Sequence, residues 1–171
     1  MLDNLKLYKV LTYILIPIAL LFGFLDLIML MISLANPSGL FGVFIIACFV
    51  IYTFASFNFL NQGVQGNLQM KKSLKDFLKV NAFVSIFFSV ILISQSAYIL
   101  INNLDESIKA MSDMASQQPG YSEEAFNKLA KSLLNGTCIF LIITGLICFF
   151  HILMTLRLVK KHEGLFETPS N

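Results

Sequence analysis

Four long apolar runs dominate this chain and limit the folds that it can adopt. Each run reaches about 20 residues or more, the length that an α-helix needs to cross a bilayer. Backbone polar groups in lipid must be paired within their own segment, so the runs predict helices and not strands. The spans are predicted at 9–34, 40–61, 78–102 and 133–157. We expect an all-α bundle of four transmembrane helices, with residues 1–171 forming a single integral membrane domain.

The composition agrees with a surface that faces lipid. Of the 171 residues, 57% are hydrophobic and 13% are charged, whereas soluble domains are nearer half apolar and a quarter charged. The cysteines Cys48, Cys138 and Cys148 all lie inside the apolar runs, which indicates buried packing residues and not a disulfide framework. No signal cleavage pattern follows the first run, so we expect it to remain in the membrane.

The basic residues predict the orientation. Nine of the twelve cluster near the N-terminus, between the second and third spans, and after the fourth span; they are Lys6, Lys9, Lys71, Lys72, Lys75, Lys79, Arg157, Lys160 and Lys161. The other three, Lys109, Lys128 and Lys131, lie with five acids in the long loop on the opposite side. The positive-inside rule then places both termini in the cytoplasm. A composition rich in phenylalanine, with more lysine than arginine, suggests the plasma membrane of a bacterium, its inner membrane.

The polar segment 103–132 is predicted to form a helical hairpin on the outer side. Apolar residues recur at helical spacing at Leu104 and Ile108, and again at Phe126 and Leu129 after the turn sequence QQPG. We therefore expect the third and fourth helices to continue past the membrane and to meet at this turn. The alternative is that these amphipathic segments lie on the membrane surface or cover the bundle.

Asp26 is an ionisable residue inside the first apolar run. An acid at that depth costs at least about 2.5 kcal/mol, so it should face the interior and find partners. The third span carries Gln95 at the same depth and Tyr98 one turn further out. This polar site has two interpretations. It is a neutral acid hydrogen-bonded to Gln95 or Tyr98 that holds two helices in register, or it is a site that responds to protons or cations.

His151 is the second polar residue of interest and lies in the inner third of the fourth span. Asn58 and Asn81, from the inner ends of the second and third spans, are its expected neighbours in a second polar cluster. Cys148 shares a helix face with His151, but two ligands do not make a metal site. We predict interhelical hydrogen bonding here, with no metal and no cofactor.

Four lysines, Lys71, Lys72, Lys75 and Lys79, mark the start of the third helix. Beside a membrane, each could contribute about 1 kcal/mol to the binding of anionic lipid headgroups. The alternative is that they only set the orientation of the helices.

The motifs of soluble chemistry are absent from the sequence. It has no Gly-rich phosphate loop, no paired carboxylates within a span, no paired-histidine metal motif and no nucleophile elbow. We therefore expect a non-enzymatic membrane protein, an accessory or scaffold subunit of a membrane assembly. Its expected partners are the lipid bilayer and another membrane protein or a second copy of itself, with no nucleic acid.

The alternative function is a small oligomeric transporter or channel in which Asp26 is the proton- or cation-responsive site. Four spans with one acid in the first helix resemble the small multidrug resistance transporters, in which a glutamate of that helix carries a proton and a cationic drug in turn. This chain differs in having an aspartate, a large outer loop and no tryptophan. We do not assign it to that family.

Overall fold

The computed structural model describes residues 2–117 and 122–166, and every regular element in these ranges is helical. The α-helices are α1 (Leu2–Ala35), α2 (Leu40–Asn58), α3 (Lys72–Tyr98), α4 (Leu104–Ala115) and α5 (Glu123–Lys161). A π-helical segment, Phe59–Gln65, extends α2, and a second one, Ile99–Asn103, joins α3 to α4. Short 3₁₀ turns follow α1 at Pro37–Gly39 and α5 at Glu163–Phe166.

Among the described residues, four helical stretches are long and apolar enough to cross a membrane, which agrees with a multi-pass membrane protein. They are Leu5–Ala35, Pro37–Gln65, Lys72–Ala115 and Glu123–Lys161. Each contains one of the spans predicted from the sequence, so the all-helical class and the four apolar helices are confirmed. The helices extend beyond the apolar runs because propagation of a helix already formed adds a hydrogen bond for each residue that it orders.

The chain divides into two compact units. The first comprises Met1–Ser89 and Ile147–Asn171, and the second comprises Val90–Leu146. Helices α3 and α5 each contribute residues to both units. The single-domain organisation expected from the sequence stays a prediction.

An aromatic cluster forms the core of the first unit. Phe22 of α1, Phe49 of α2 and Phe88 of α3 are buried, and their ring centroids lie 4.9 to 5.7 Å apart. Two of the three pairs meet edge to face, a favoured geometry worth about 0.5–1.5 kcal/mol beyond simple burial. The cluster therefore ties the three helices together through side-chain packing.

Small residues line the helix contacts of the same unit. A methyl group at Gly23 of α1 would lie 3.6 Å from Val50 of α2, in ordinary van der Waals contact. On α3, the buried Ser85 and Ser89 donate their hydroxyl hydrogens to backbone carbonyls one turn earlier. Side chains of this size allow close approach of helices in lipid, and their hydroxyl groups stay satisfied within their own helix.

In the second unit, α4 is strongly amphipathic. Ile108 and Ser112 are buried, and Asp105 and Glu106 occupy the first turn, where the helix dipole favours negative charge. Helix α5 begins at Glu123, directly after the exposed Ser122. Most of the predicted QQPG turn lies outside the described residues, because residues 118–121 are not among them.

Candidate functional site

His151 lies at the centre of a buried polar cluster that joins three helices of the first unit. Its side chain is fully buried on α5. Nε2 lies 2.8 Å from the hydroxyl oxygen of Thr12 on α1, and Nδ1 lies 2.8 Å from the hydroxyl oxygen of Tyr52 on α2. Both ring nitrogens therefore have partners on other helices.

The cluster continues through Thr155, one turn after His151. The Thr155 hydroxyl oxygen lies 2.7 Å from the Tyr52 hydroxyl, 2.9 Å from the backbone carbonyl oxygen of His151 and 3.2 Å from the Tyr8 hydroxyl. The Tyr8 ring stacks on the imidazole, with centroids 4.7 Å apart and planes inclined by 9°. The imidazole is thus enclosed by ring faces and hydroxyl groups.

The hydrogen bonds of Thr12 identify the tautomer of His151 that fits this cluster. Thr12 donates its one hydroxyl hydrogen to the backbone carbonyl of Tyr8 at 2.8 Å, so its oxygen accepts from Nε2–H of the imidazole. A neutral imidazole then accepts at Nδ1, where Tyr52 donates. Because these bonds satisfy both nitrogens inside the protein, the cluster is best suited to hold helices together.

The hydrogen-bond partners of His151 differ from Asn58 and Asn81, the neighbours expected from the sequence. Asn81 donates its side-chain amide to the carbonyl of Phe77, 2.8 Å away and one turn earlier on α3. Asn58, at the end of α2, lines a cavity beside the start of α3. A backbone carbonyl one turn earlier competes well for a short amide side chain. The Asn81 amide is therefore used within α3.

The residues of α1 that contact His151 were not predicted from the sequence. Tyr8 and Thr12 are spaced four apart and begin the buried stripe of α1, which continues through Leu15, Ala19 and Phe22. Hydroxyl side chains at helical spacing, in register with buried apolar residues, were the signal present in the sequence.

Asp26 is the next position of the same stripe, one turn after Phe22. Its side-chain oxygen Oδ1 is buried and has no hydrogen-bond partner among the residues that the structure describes. The neighbouring positions on α1 face α2, since a methyl group at Gly42 would lie 3.6 Å from the end of the Met29 side chain. Asp26 therefore has one buried polar atom that no described residue satisfies.

The two residues predicted to bond Asp26 belong to the second compact unit, whereas Asp26 belongs to the first. Gln95 and Tyr98 are both exposed, Tyr98 with 54% of its surface accessible. The pairing of Asp26 with either residue stays a prediction.

The four lysines at the start of α3 have different surroundings. Lys75 forms an ion pair with Glu163 of the C-terminal 3₁₀ turn. This contact, helped by the charges of Lys79 and Lys160, holds the pKa of Glu163 below its ordinary value. Lys71 lines the cavity beside α3 instead, and Lys72 is exposed.

The cysteines and the potential metal ligands were also located. Cys48, Cys138 and Cys148 are buried and free, which agrees with their predicted packing role. Within residues 2–117 and 122–166, no three His, Cys, Asp or Glu side chains come together in a way that could hold a metal ion.

Comparison with family models, with curated proteins and with solved structures gave no match for this chain.

Proposed function

We propose that this chain is a non-enzymatic accessory or scaffold subunit of a membrane assembly, and that the apolar face of α4 binds its protein partner. The observation that supports this proposal is the incomplete burial of that face. Ile108 is buried, but Met111 and Met114, which continue the same face, are 44% and 78% exposed.

Methionine suits a binding surface because its flexible, polarisable side chain adapts to a partner's shape. On the opposite face of α4, Asp105, Glu106 and Asp113 outnumber Lys109. A partner is therefore expected to offer an apolar patch bordered by basic residues, in a segment that emerges from the same side of the membrane.

The orientation is part of the proposal. The positive-inside rule places both termini in the cytoplasm and residues 103–132 outside, with the chain in a bacterial plasma membrane. The binding face of α4 would then belong to an extracytoplasmic hairpin formed by the outer ends of the third and fourth spans. The lysines near Glu163 would lie on the cytoplasmic side.

The experiment is site-specific photocrosslinking in cells that express the protein at native levels. A benzophenone amino acid at position 114 should capture one membrane protein, whereas the same probe at Asp105, on the opposite face of α4, should not. Replacement of Met111 and Met114 by serine should release this partner in a gentle-detergent purification, with the protein still folded. Capture of lipid alone from position 114 would contradict the proposal and favour a helix that lies on the membrane surface.

A second candidate function rests on Asp26. A buried acid oxygen without a partner, on the inward stripe of a membrane helix, suits a group that binds a proton or a cation during transport. In this alternative the chain is a small oligomeric transporter or channel. Recovery of the chain alone, as a defined oligomer, would favour it over the subunit proposal.

The test of the alternative is cation and proton flux in proteoliposomes. Asp26→Asn should abolish flux and leave the free energy of unfolding nearly unchanged if Asp26 couples transport. If Asp26 has no transport role, no flux is expected from the wild type, and Asp26→Leu should leave the free energy of unfolding unchanged or raise it, because leucine removes a buried polar atom that has no partner among the described residues.

A further inference from the structure

We propose that a cavity between the end of α2 and the start of α3 binds a phosphate-bearing anion, either the headgroup of an acidic phospholipid or a soluble phosphate ester. The cavity, called here the α2–α3 cavity, has a volume of about 490 Å³. This volume lies within the range of about 300–1,000 Å³ typical of small-molecule sites. It is lined by Asn58, Gln62, Gln69, Met70, Lys71, Ser73, Leu74 and Phe77.

The lining favours an anion with an apolar portion. Hydrogen-bond donors come from the Lys71 ammonium group, the Ser73 hydroxyl and three side-chain amides, and none of these lining residues is acidic. Met70, Leu74 and Phe77 supply an apolar wall beside the donors. A phosphate group next to a glycerol and acyl chain has this combination of charge and apolar surface.

The start of α3 adds to the positive potential. Helix α3 begins at Lys72, so its first backbone N–H groups lie next to the cavity residues Lys71 and Ser73. These groups have no acceptor within the helix and carry the positive end of its dipole, which favours phosphate. The backbone N–H of Leu74 is used already, because it bonds to the carbonyl of Lys71 at 3.0 Å.

The wall that carries Lys71 is held by backbone hydrogen bonds. Leu68 N–H donates to the carbonyl of Gln62 at 3.0 Å, and Met70 N–H donates to the carbonyl of Leu165 at 2.7 Å. Asn67 takes a left-handed conformation, with φ of 49°, inside the loop that the first of these bonds closes. The loop and the C-terminal 3₁₀ turn are thus fastened together, so the cavity is a formed site.

The structure also separates the four lysines by role. Lys75 is neutralised by Glu163, and neither Lys72 nor Lys79 lines the cavity, whereas Lys71 does. Diffuse attraction to a charged membrane would depend on all of them about equally. If the lipid binds in the α2–α3 cavity, its affinity should depend more on Lys71 than on the other three lysines.

The experiment measures lipid binding to the full-length protein in a non-ionic detergent by native mass spectrometry. The probes are phosphatidylglycerol and phosphatidylcholine with identical acyl chains. We expect tighter binding of phosphatidylglycerol, and a loss of about fivefold in that affinity for Lys71→Gln. Lys79→Gln, which removes the same charge from α3 outside the cavity, should change the affinity less than about twofold because solvent and salt screen it.

Gln62→Ala provides a second variant that depends on a donor and not on a charge. Gln62 is exposed, so its truncation leaves the fold intact, and it should also weaken phosphatidylglycerol binding. Equal affinities for the two lipids would overturn the proposal. Equal losses of phosphatidylglycerol affinity for Lys71→Gln and Lys79→Gln would overturn it as well, because they would indicate unspecific electrostatic attraction to the lipid.

Competition identifies the source of the phosphate group. Displacement of phosphatidylglycerol by glycerol 3-phosphate would support the site and indicate a soluble phosphate ester as its occupant. Failure of glycerol 3-phosphate to compete, with the Lys71 dependence retained, would support the site and indicate the lipid headgroup.

Discussion

Replacement of Thr12 by valine tests the hydrogen-bonded cluster around His151. Valine keeps the shape of threonine, so the change removes the hydroxyl group and leaves the packing of α1 in place. In the folded protein, Nε2–H of His151 would lose its acceptor, which lies 2.8 Å away in the native cluster. Water cannot replace it, because the His151 side chain is fully buried.

The expected cost follows from this unsatisfied donor. A buried polar group without a partner costs about 1–3 kcal/mol, while interhelical hydrogen bonds in membrane proteins measure about 0.6 kcal/mol on average and at most about 1.7. We expect Thr12→Val to lower the free energy of unfolding by about 1–2 kcal/mol. This loss corresponds to a factor of about 5–30 in the folded-to-unfolded ratio.

Thr53→Val is the matched control. Thr53 is also fully buried, but its hydroxyl donates to the carbonyl of Phe49 on its own helix at 3.0 Å. That carbonyl also serves the backbone hydrogen bonding of the helix, so removal of the hydroxyl group leaves little unsatisfied. We expect the control to change the free energy of unfolding by less than about 0.5 kcal/mol.

The assay is unfolding by SDS in mixed micelles, with alkylation of Cys148 as the readout. The Cys148 thiol is fully buried, one turn before His151 on α5, so it reacts only when this region opens. Replacing Cys48 and Cys138 by alanine in all variants leaves a single reporter. Equal midpoints for Thr12→Val and Thr53→Val would refute the bond between Thr12 and His151.

Three further predictions concern the loops and the small residues. The ion pair with Lys75 lowers the pKa of Glu163 below its ordinary 4.5. The ion pair should therefore stabilise the fold fully above pH 4.5, and this stabilisation should be lost as the pH falls through the lower pKa that Glu163 has in the folded protein. SDS titrations at several pH values measure this loss. The Lys75→Met variant should not show it. A methyl group at Gly63 would approach a methionine sulfur to 2.7 Å, whereas one at Gly136 would meet nothing within 4 Å. Gly63→Ala should accordingly unfold at a lower SDS fraction than Gly136→Ala, which gains helix propensity of up to about 1 kcal/mol. A cysteine at Ser116 should react with an impermeant maleimide added outside intact cells, and labelling only after lysis would contradict the orientation.

The helices were predictable because their cause is local in the sequence. An apolar run of about 20 residues must form a helix in lipid whatever its neighbours do. The same reasoning identified the buried cysteines, since each stands inside such a run. The starts of the helices were harder to predict: α1 begins at Leu2 and α3 at Lys72, several residues before the predicted spans, because polar flanks continue a helix without adding to the apolar signal.

The partners of His151 were not predictable from its depth in the membrane. Depth restricts the candidates on each helix to a few residues, but the rotation of each helix selects among them. Asn58 and Asn81 lie at plausible depths, yet one lines the α2–α3 cavity and the other bonds to its own helix. The rotation of a helix about its axis is set by which of its residues form the buried stripe. On α1 that stripe contains Tyr8 and Thr12.

The buried stripe of α1 contains two polar residues, Thr12 and Asp26, whose hydrogen bonding differs. Near one end, Thr12 meets an imidazole that can both donate and accept, so every polar group there is used within the fold. Further along, Asp26 takes the next position after Phe22, where the stripe has turned apolar and the buried Oδ1 has no described partner. A satisfied cluster adds stability whether or not a ligand is present. An unsatisfied acid costs stability until something binds to it. For this reason Asp26, and not His151, is the residue of the apolar helices whose replacement can separate a transport role from a purely structural one.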